Sequence, residues 1–235
     1  MTDKFFLHPD TLFKTVEKVL LEVGPHKFFS SPHKEVKKAR EGFAAYFFSL
    51  ILKEYTKRDW WFLQFDEGER QYPDFDLMSF SENPAELKME SVELTGVYPN
   101  FMSFEDVVRV VANKQTKYGN KPLNFSLLIN VNHEKSEEWT QMLRGHLATH
   151  HPFLSVWTMH LLFKAGGREV KKVVGQRIRP LPGLRIEADT GNRDIYKKQQ
   201  IPSYMEEKKY GNCTYVTFKE DFINQIRTQL KARQG

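Results

Sequence analysis

Residues 124–131 form a nearly continuous apolar run, and this run limits the folds that the chain can adopt. A short run of this kind is typical of a β-strand that is covered on both faces. Before it, Ser103 suits the N-cap of a helix, and Val107 and Val111 recur at helical spacing on the way to Gly119. The order predicts a helix followed by a central strand of an α/β sheet.

The segments before residue 103 carry helix patterns first and strand patterns afterwards. Apolar residues at helical spacing predict one helix that ends at Gly24 and a second that starts near Ser31 and runs to about Lys53. Alternation and β-forming residues then predict three strands, of which the first two form a hairpin: Trp60–Phe65, Gln71–Phe80 and Leu87–Val97. From the second helix onward, the predicted order is helix, three strands, helix, strand.

The segments after residue 132 show further strand and helix patterns. In chain order they predict a helix, a strand, a hairpin that turns at a proline-rich segment, and a final helix: 136–149, 154–163, 171–186 and 218–233. The stretch 188–209 is polar and is predicted to be the longest loop.

Composition is consistent with one globular domain. The chain has 235 residues, of which 40% are hydrophobic, and lysine plus arginine exceed aspartate plus glutamate by 35 to 30. This basic balance is compatible with a polyanionic partner. The N-terminal residues lack a signal-peptide pattern, and the longest apolar stretch, Phe43–Leu52, is too short to span a membrane. We therefore expect a single cytoplasmic domain, residues 1–235, without membrane contact.

Two carboxylates are expected side by side on the second and third predicted strands. Asp74 follows Pro73 in one strand, and Glu93 lies in an apolar stretch of the next. Because side chains alternate between the faces of a strand, Asp74, Asp76 and Glu93 can share one face of the sheet. Carboxylates hold Mg²⁺ or Mn²⁺, and such an ion neutralises the charge that develops when a phosphodiester is cleaved.

Pro73-Asp74 followed by Glu93, in this order of helices and strands, resembles the PD-(D/E)XK nuclease superfamily, which includes restriction endonucleases and Holliday-junction resolvases. The resemblance covers about residues 32–132. It implies an α/β fold with a restriction-endonuclease-like mixed β-sheet flanked by helices. An N-terminal helix in residues 1–31 and a C-terminal hairpin and helix extension in residues 133–235 would be added to that core. The resemblance also implies that Asp74 and Glu93 bind Mg²⁺ or Mn²⁺.

A third carboxylate is implied by the first helix of that core. Glu41-Gly42-Phe43-Ala44 resembles the helical Glu-x-x-Ala segment of many superfamily members, whose glutamate often reaches the metal site. Glu41 is therefore the third candidate ligand. Glu35 and His33 are reserve candidates, the latter because some members place a histidine on this helix.

The chain departs from the superfamily pattern at the lysine. Thr95 stands where the family shows a lysine two residues after the glutamate. In cap-snatching endonucleases of segmented RNA viruses the lysine has moved to the following helix, and Lys114 fits that variation, with Lys117 three residues further on. Lysines at the C-terminal end of a helix are also favoured by the helix dipole. The segment Glu86-Leu87-Lys88 matches Glu-x-Lys literally, so Lys88 offers an alternative frame, in which the motif would lie at residues 86–88.

The pattern as a whole predicts a metal-dependent endonuclease-like protein that hydrolyses phosphodiester bonds of DNA, or less favourably of RNA. Four basic residues are candidates for contact with the nucleic-acid backbone: Arg177, Arg179, Lys208 and Lys209. The missing family lysine leaves a second interpretation open, a catalytically inactive nucleic-acid-binding or protein-interaction module on the same fold. A homodimer is compatible with either interpretation.

Overall fold

The computed structural model describes residues 6–64, 73–82, 86–96, 103–119, 122–131, 135–147, 152–164, 170–190, 201–210 and 213–232. Within these ranges the helices are α1 (Pro9–Val23), α2 (Pro25–Ser30), α3 (Lys34–Thr56), α4 (Phe104–Tyr118), α5 (Glu137–His146) and α6 (Glu220–Ala232). The strands are β1 (Trp61–Gln64), β2 (Phe75–Ser79), β3 (Lys88–Gly96), β4 (Ser126–Asn130), β5 (Val156–Phe163), β6 (Val170–Arg179), β7 (Leu184–Asp189), β8 (Met205–Tyr210) and β9 (Cys213–Phe218). The turn of the hairpin predicted from Trp60–Phe65 and Gln71–Phe80, with turn-forming residues at 66–69, lies outside the described residues.

Seven of these strands form one mixed sheet in chain order, from β1 to β7. Strands β1, β2 and β3 are antiparallel neighbours, β3, β4 and β5 are parallel, and β5, β6 and β7 are again antiparallel. Helices lie on both sides of the sheet, so the predicted α/β class with a mixed sheet flanked by helices is confirmed. Strands β5 to β7 continue the sheet beyond residue 132, and the expected core and C-terminal extension therefore share it.

Helix α3 covers one face of the sheet, and its middle is buried on all sides. Every residue from Gly42 to Leu52 is buried, because α1 packs on the outer side of α3 while the sheet packs on its inner side. Gly42 permits this close approach, since an added Cβ there would lie 3.0 Å from Leu12 and 3.1 Å from Val16. The apolar layers on both sides fix the orientation of α3 and of the polar residues at its ends.

Helices α4 and α5 cover the other face of the sheet. Val107 and Val111 of α4 and Leu143 of α5 are buried against β4 and β5 in a second apolar cluster. Helix α4 begins where the sequence predicts, because the Ser103 side chain accepts a hydrogen bond from the backbone N–H of Asp106, and the Asp106 carboxylate accepts one from the backbone N–H of Ser103. This capping box fixes the position of the helix that carries Lys114.

The prediction of a long loop over 188–209 is wrong. Ala188 and Asp189 belong to β7, and Met205–Tyr210 forms β8, which pairs with Cys213–Phe218 in a two-stranded antiparallel sheet. Met205 is buried beside Trp61 in a third apolar cluster, so burial by the rest of the fold, rather than the polar sequence of β8, specifies this strand. The N-terminal segment joins the hairpin to the main sheet through Phe6 and Leu7, which bridge to Val216 and Phe62.

The predicted end of the first helix agrees with the structure, whereas the predicted start of the next long helix differs from it. Gly24 ends α1 as predicted, and its positive φ of 78° is one that glycine adopts readily. The chain then forms the short helix α2, which the sequence pattern does not predict, and α3 begins three residues later than Ser31, at Lys34.

None of the helices in the described ranges has the length and apolar character that crossing a bilayer requires.

The contact between β6 and α3 generates a stability prediction. A Cβ added at Gly175 would lie 2.7 Å from Cγ2 and 2.8 Å from Cδ1 of Ile51, which is fully buried. We expect Gly175→Ala to lower the free energy of unfolding by about 1–3 kcal/mol through overpacking. Urea denaturation measures this change.

The double variant Gly175→Ala/Ile51→Ala is the control. Ile51→Ala removes the atoms that clash with the added Cβ. The decrease in the free energy of unfolding caused by Ile51→Ala should therefore be smaller in the Gly175→Ala background than in the wild type. Additive effects of the two substitutions would contradict the proposed contact.

Candidate metal and phosphodiester site

The register of β2 and β3 brings Asp74 and Glu93 together. Phe75 pairs with Val92 in this antiparallel ladder, so the preceding residue, Asp74, lies opposite Glu93 on the same face. The backbone N–H of Leu94 donates a hydrogen bond of 2.7 Å to Oδ2 of Asp74 and holds this carboxylate against β3. The predicted proximity of the two carboxylates is therefore present in the structure.

Lys114 of α4 reaches over the same face and forms an ion pair with Glu93. Its Nζ contacts Oε1 of Glu93 and lies 3.4 Å from the carbonyl oxygen of Leu94. Lys117 is more peripheral, because its Nζ lies 3.7 Å from the same Glu93 oxygen and its side chain is 51% exposed. Oε2 of Glu93 is buried and accepts no hydrogen bond from any described residue. One oxygen of Glu93 is thus paired, and the other is available for a further ligand.

Glu41 acts on the site through its charge. Burial, followed by the negative charges of Glu93 and Glu41, raises the pKa of Asp74 from 3.8 to about 6. The ammonium group of Lys114 and the hydrogen bond from Leu94 oppose this rise. Glu41 also lies 3.7 Å from Nζ of Lys37, one helical turn earlier. Asp74 therefore interacts electrostatically with both of the other candidate carboxylates.

The reserve candidates on the strand and the helix lie at different depths. Asp76 is buried, with 1% of its surface exposed, and pairs with Ser91 and Leu63 rather than with Glu93. His33 is the N-cap residue of α3, and Glu35 lies in its first turn; both are exposed. Asp76 is therefore closer to the Asp74 and Glu93 pair along the strand, whereas His33 and Glu35 face solvent.

The alternative frame at Lys88 lies at the far end of β3. Lys88 pairs with Ser79, the last residue of β2, whereas Asp74 precedes the first residue of β2. The five residue steps from Lys88 to Glu93 span roughly 16 Å along an extended strand. Glu86 forms an ion pair with Arg58 at 2.8 Å. The register thus separates Lys88 from Asp74, while Lys114 contacts Glu93.

The four basic residues expected to contact a phosphate backbone are divided between two sheets. Arg177 faces α3, where its guanidinium carbon lies 5.5 Å from the ring centre of Tyr55. Arg179 faces α5, and its Nη2 donates a hydrogen bond of 2.6 Å to the carbonyl oxygen of Arg144. Lys208 and Lys209 are exposed on β8, in the separate hairpin.

A further carboxylate, that of the half-buried Glu90, is not among the residues that the sequence pattern indicates. It lies on the opposite face of β3 from Glu93 and accepts a hydrogen bond from the hydroxyl group of Ser126. Burial raises the pKa of Glu90, and this hydrogen bond lowers it in part. The hydroxyl group of Ser126 is also hydrogen-bonded to that of Ser155, whose Oγ accepts a 2.8 Å hydrogen bond from Nε1 of Trp157. The alternation of β3 would have identified Glu90 as a carboxylate facing the α3 core.

The described residues include no group of three or more His, Cys, Asp or Glu side chains arranged to hold a metal ion. Asp74 and Glu93 nevertheless provide two carboxylates on one face, and one Glu93 oxygen lacks a hydrogen-bond donor among these residues. Mg²⁺ keeps several of its waters and often binds through only one or two carboxylates. The donor set therefore fits an ion of this kind.

Comparisons of the chain with family models, with curated proteins and with solved structures gave no significant match. The chemistry of the site therefore follows from its own residues.

The raised pKa of Asp74 generates a prediction about stability and pH. Between pH 3.8 and about 6 the folded protein binds the Asp74 proton more tightly than the unfolded chain does, so its stability falls as the pH rises through this interval. Asp74→Asn removes this dependence and should make the protein more stable than wild type above about pH 6, by on the order of 2 kcal/mol.

Urea denaturation in chelator, at several pH values from about 4 to 7, measures the difference between wild type and Asp74→Asn. We expect this difference to be small at the acidic end and to grow in favour of Asp74→Asn with increasing pH. A difference that stays constant over the interval would contradict the assigned environment of Asp74.

Proposed function

We propose that the protein is a metal-dependent nuclease that hydrolyses phosphodiester bonds of DNA. The observation that carries this proposal is the pairing of Asp74 with Glu93 on one face of the sheet, with the ammonium group of Lys114 against Glu93. Two carboxylates and an adjacent cation are the groups that phosphodiester hydrolysis requires around a divalent ion.

The topology around the site supports the resemblance to the PD-(D/E)XK superfamily. Helix α3, strands β1 to β3, helix α4 and strand β4 follow one another in the implied order, and β4 lies parallel to β3 beside the antiparallel β1 to β3 meander. We propose that this part is a restriction-endonuclease-like core. Strands β5 to β7, the β8 and β9 hairpin, and helices α1 and α6 would be additions to it.

Asp74 and Glu93 would hold a Mg²⁺ or Mn²⁺ ion, with Glu41 as a further ligand or as a charge that acts through water. The ion would supply charge neutralisation at the phosphate and a water of lowered pKa. The chain positions these groups in advance: the Leu94 N–H fixes Asp74, and Lys114 fixes one oxygen of Glu93. An anionic phosphate would also be attracted by Lys114 and by the more exposed Lys117.

Lys114 would take the role of the family lysine, because Thr95 occupies the usual position of that lysine in this chain. Thr95 shares a face of β3 with Glu93 and is buried, so a hydroxyl group occupies the usual lysine position. Lys114 comes to the same face from α4 and contacts both Glu93 and the carbonyl oxygen of Leu94. Its ammonium group is therefore located where it can orient a water molecule or stabilise a charged phosphate oxygen.

A second candidate function is a nucleic-acid-binding module without catalytic activity. The contact between Lys114 and Glu93 favours it, because the ammonium group already neutralises the buried carboxylate in the absence of a metal ion. Such a module would bind nucleic acid with an affinity that falls with salt and would have no metal requirement.

Cleavage of labelled DNA and RNA in Mn²⁺ distinguishes the two functions. We expect the wild type to cut DNA, and Glu93→Gln and Lys114→Gln each to lower the rate at least about 100-fold, as the loss of a charge-stabilising group does in other enzymes. Lys88→Gln is the matched control, because it removes an exposed lysine from the same strand as Glu93 and should leave the rate unchanged.

Absence of cleavage by the wild type on DNA and RNA would contradict the nuclease and leave the binding module. An equal loss in Lys88→Gln would contradict the assignment of Lys114.

A further inference from the structure

Arg144 and Arg179 form a pair of basic side chains on the same side of the sheet as Glu93. Arg144 lies in the last turn of α5, and Arg179 is the last residue of β6. The Arg179 guanidinium donates to the Arg144 carbonyl oxygen, so the two residues are in direct contact. We call these two residues the arginine pair.

The sheet register aligns the arginine pair with the carboxylate site. Glu93 pairs with Leu127 of β4, Leu127 pairs with Val156 of β5, and Val156 pairs with Arg179 of β6. Three strand spacings of about 4.8 Å separate Glu93 from Arg179, roughly 14 Å in all. Helices α4 and α5 both run down this side of the sheet, and their last turns carry Lys117 and Arg144.

Among the described residues, the arginine pair has few anionic neighbours for its charge. Each guanidinium group has five N–H donors. Among the contacts of the described residues, Arg144 has one ion pair, with Glu137 at 2.9 Å, and the Glu137 side chain is 67% exposed. Arg179 donates to a neutral carbonyl oxygen. The Arg179 guanidinium thus lies against the backbone of the helical turn that carries Arg144, and two arginines at this position with a single exposed carboxylate are suited to an oxyanion.

We propose that the arginine pair binds a phosphate of the nucleic-acid backbone, a few nucleotides from the bond that is cut. This proposal rests on the proposed function for its ligand. A distance of roughly 14 Å corresponds to about four nucleotides at the 3.4 Å rise of one DNA strand. The arginine pair would fix the register of the strand as it passes the last turns of α4 and α5, while Asp74, Glu93 and Lys114 act at the scissile phosphate.

Arg177 provides a matched control within the same strand. It carries the same charge two residues before Arg179, but it faces α3, where it contacts the rings of Tyr55 and Trp157 and donates to the hydroxyl group of Tyr55. The proposal therefore assigns phosphate contact to Arg179 and none to Arg177.

Gly183 offers a test that leaves the charge unchanged. An added Cβ at this position would lie 2.0 Å from Nη2 of Arg144, so Gly183→Ala must displace the Arg144 guanidinium group. The flexible end of the arginine can move with little cost to the fold. Loss of affinity in this variant would therefore depend on the position of Arg144 rather than on net charge.

Fluorescence anisotropy tests the proposal with a labelled DNA duplex of about 20 base pairs and an RNA of the same sequence, in chelator and over a range of salt. We expect Arg144→Gln and Arg179→Gln each to weaken DNA binding about tenfold near 0.1 M salt. Each should also reduce the slope of log affinity against log salt by about 0.9. Arg177→Gln should keep the wild-type slope, and Gly183→Ala should weaken binding. Thermal unfolding of each variant checks that it is folded.

Three results would overturn the proposal: no binding of either nucleic acid by the wild type, a wild-type slope in Arg179→Gln, or an equal loss of slope in Arg177→Gln. Because the assay contains no metal, its outcome is independent of cleavage. Binding with the expected slopes in a protein that cuts nothing would contradict the nuclease and support the arginine pair.

Discussion

The ion pair between Glu93 and Lys114 is the contact on which the site depends. Glu93 is almost fully buried in the third strand of the sheet, and a carboxylate in such a position costs several kcal/mol unless a cation or donors compensate it. Lys114 provides that compensation from α4. The capping box at Ser103 fixes where α4 starts, and so fixes the position of Lys114 along the helix. The same contact links the packing of α4 to the electrostatics of the candidate site.

Helix α3 connects the apolar core to the site from the other side of the sheet. Its residues from Gly42 onward are enclosed by α1 and the sheet, so the preceding residue, Glu41, has little freedom to move along the sheet. From there its charge, in addition to burial and the charge of Glu93, raises the pKa of Asp74. A cluster of carboxylates that repel one another is stable when a cation lies among them, and this is the physical basis for expecting a divalent ion there.

The sequence contains enough information to predict the Asp74 and Glu93 pair, because the two-residue period of a strand determines which side chains share a face. The expectation that Lys114 belongs to the site depends on the resemblance to nucleases whose lysine lies on the following helix, whereas the cap at Ser103 predicts only the helix that carries it. The hairpin of β8 and β9 could not be found in this way, since Met205 and its charged neighbours form a strand only because Trp61 and Phe6 cover it. The sequence pattern also does not predict which face of the sheet Arg177 and Arg179 occupy. Alternation places residues two apart on one face, but the irregular register where β5 meets β6 at Val156 and Trp157 turns these two to opposite faces.

Calorimetric titration with Mn²⁺ is the decisive measurement for the site formed by Asp74 and Glu93, because it examines metal binding without requiring a substrate. We expect one bound ion in the wild type, loss of binding in Glu93→Gln, and retention of binding in Glu90→Gln, which alters a half-buried carboxylate on the other face of the same strand. Absence of binding in the wild type, or equal binding in Glu93→Gln and wild type, would contradict it.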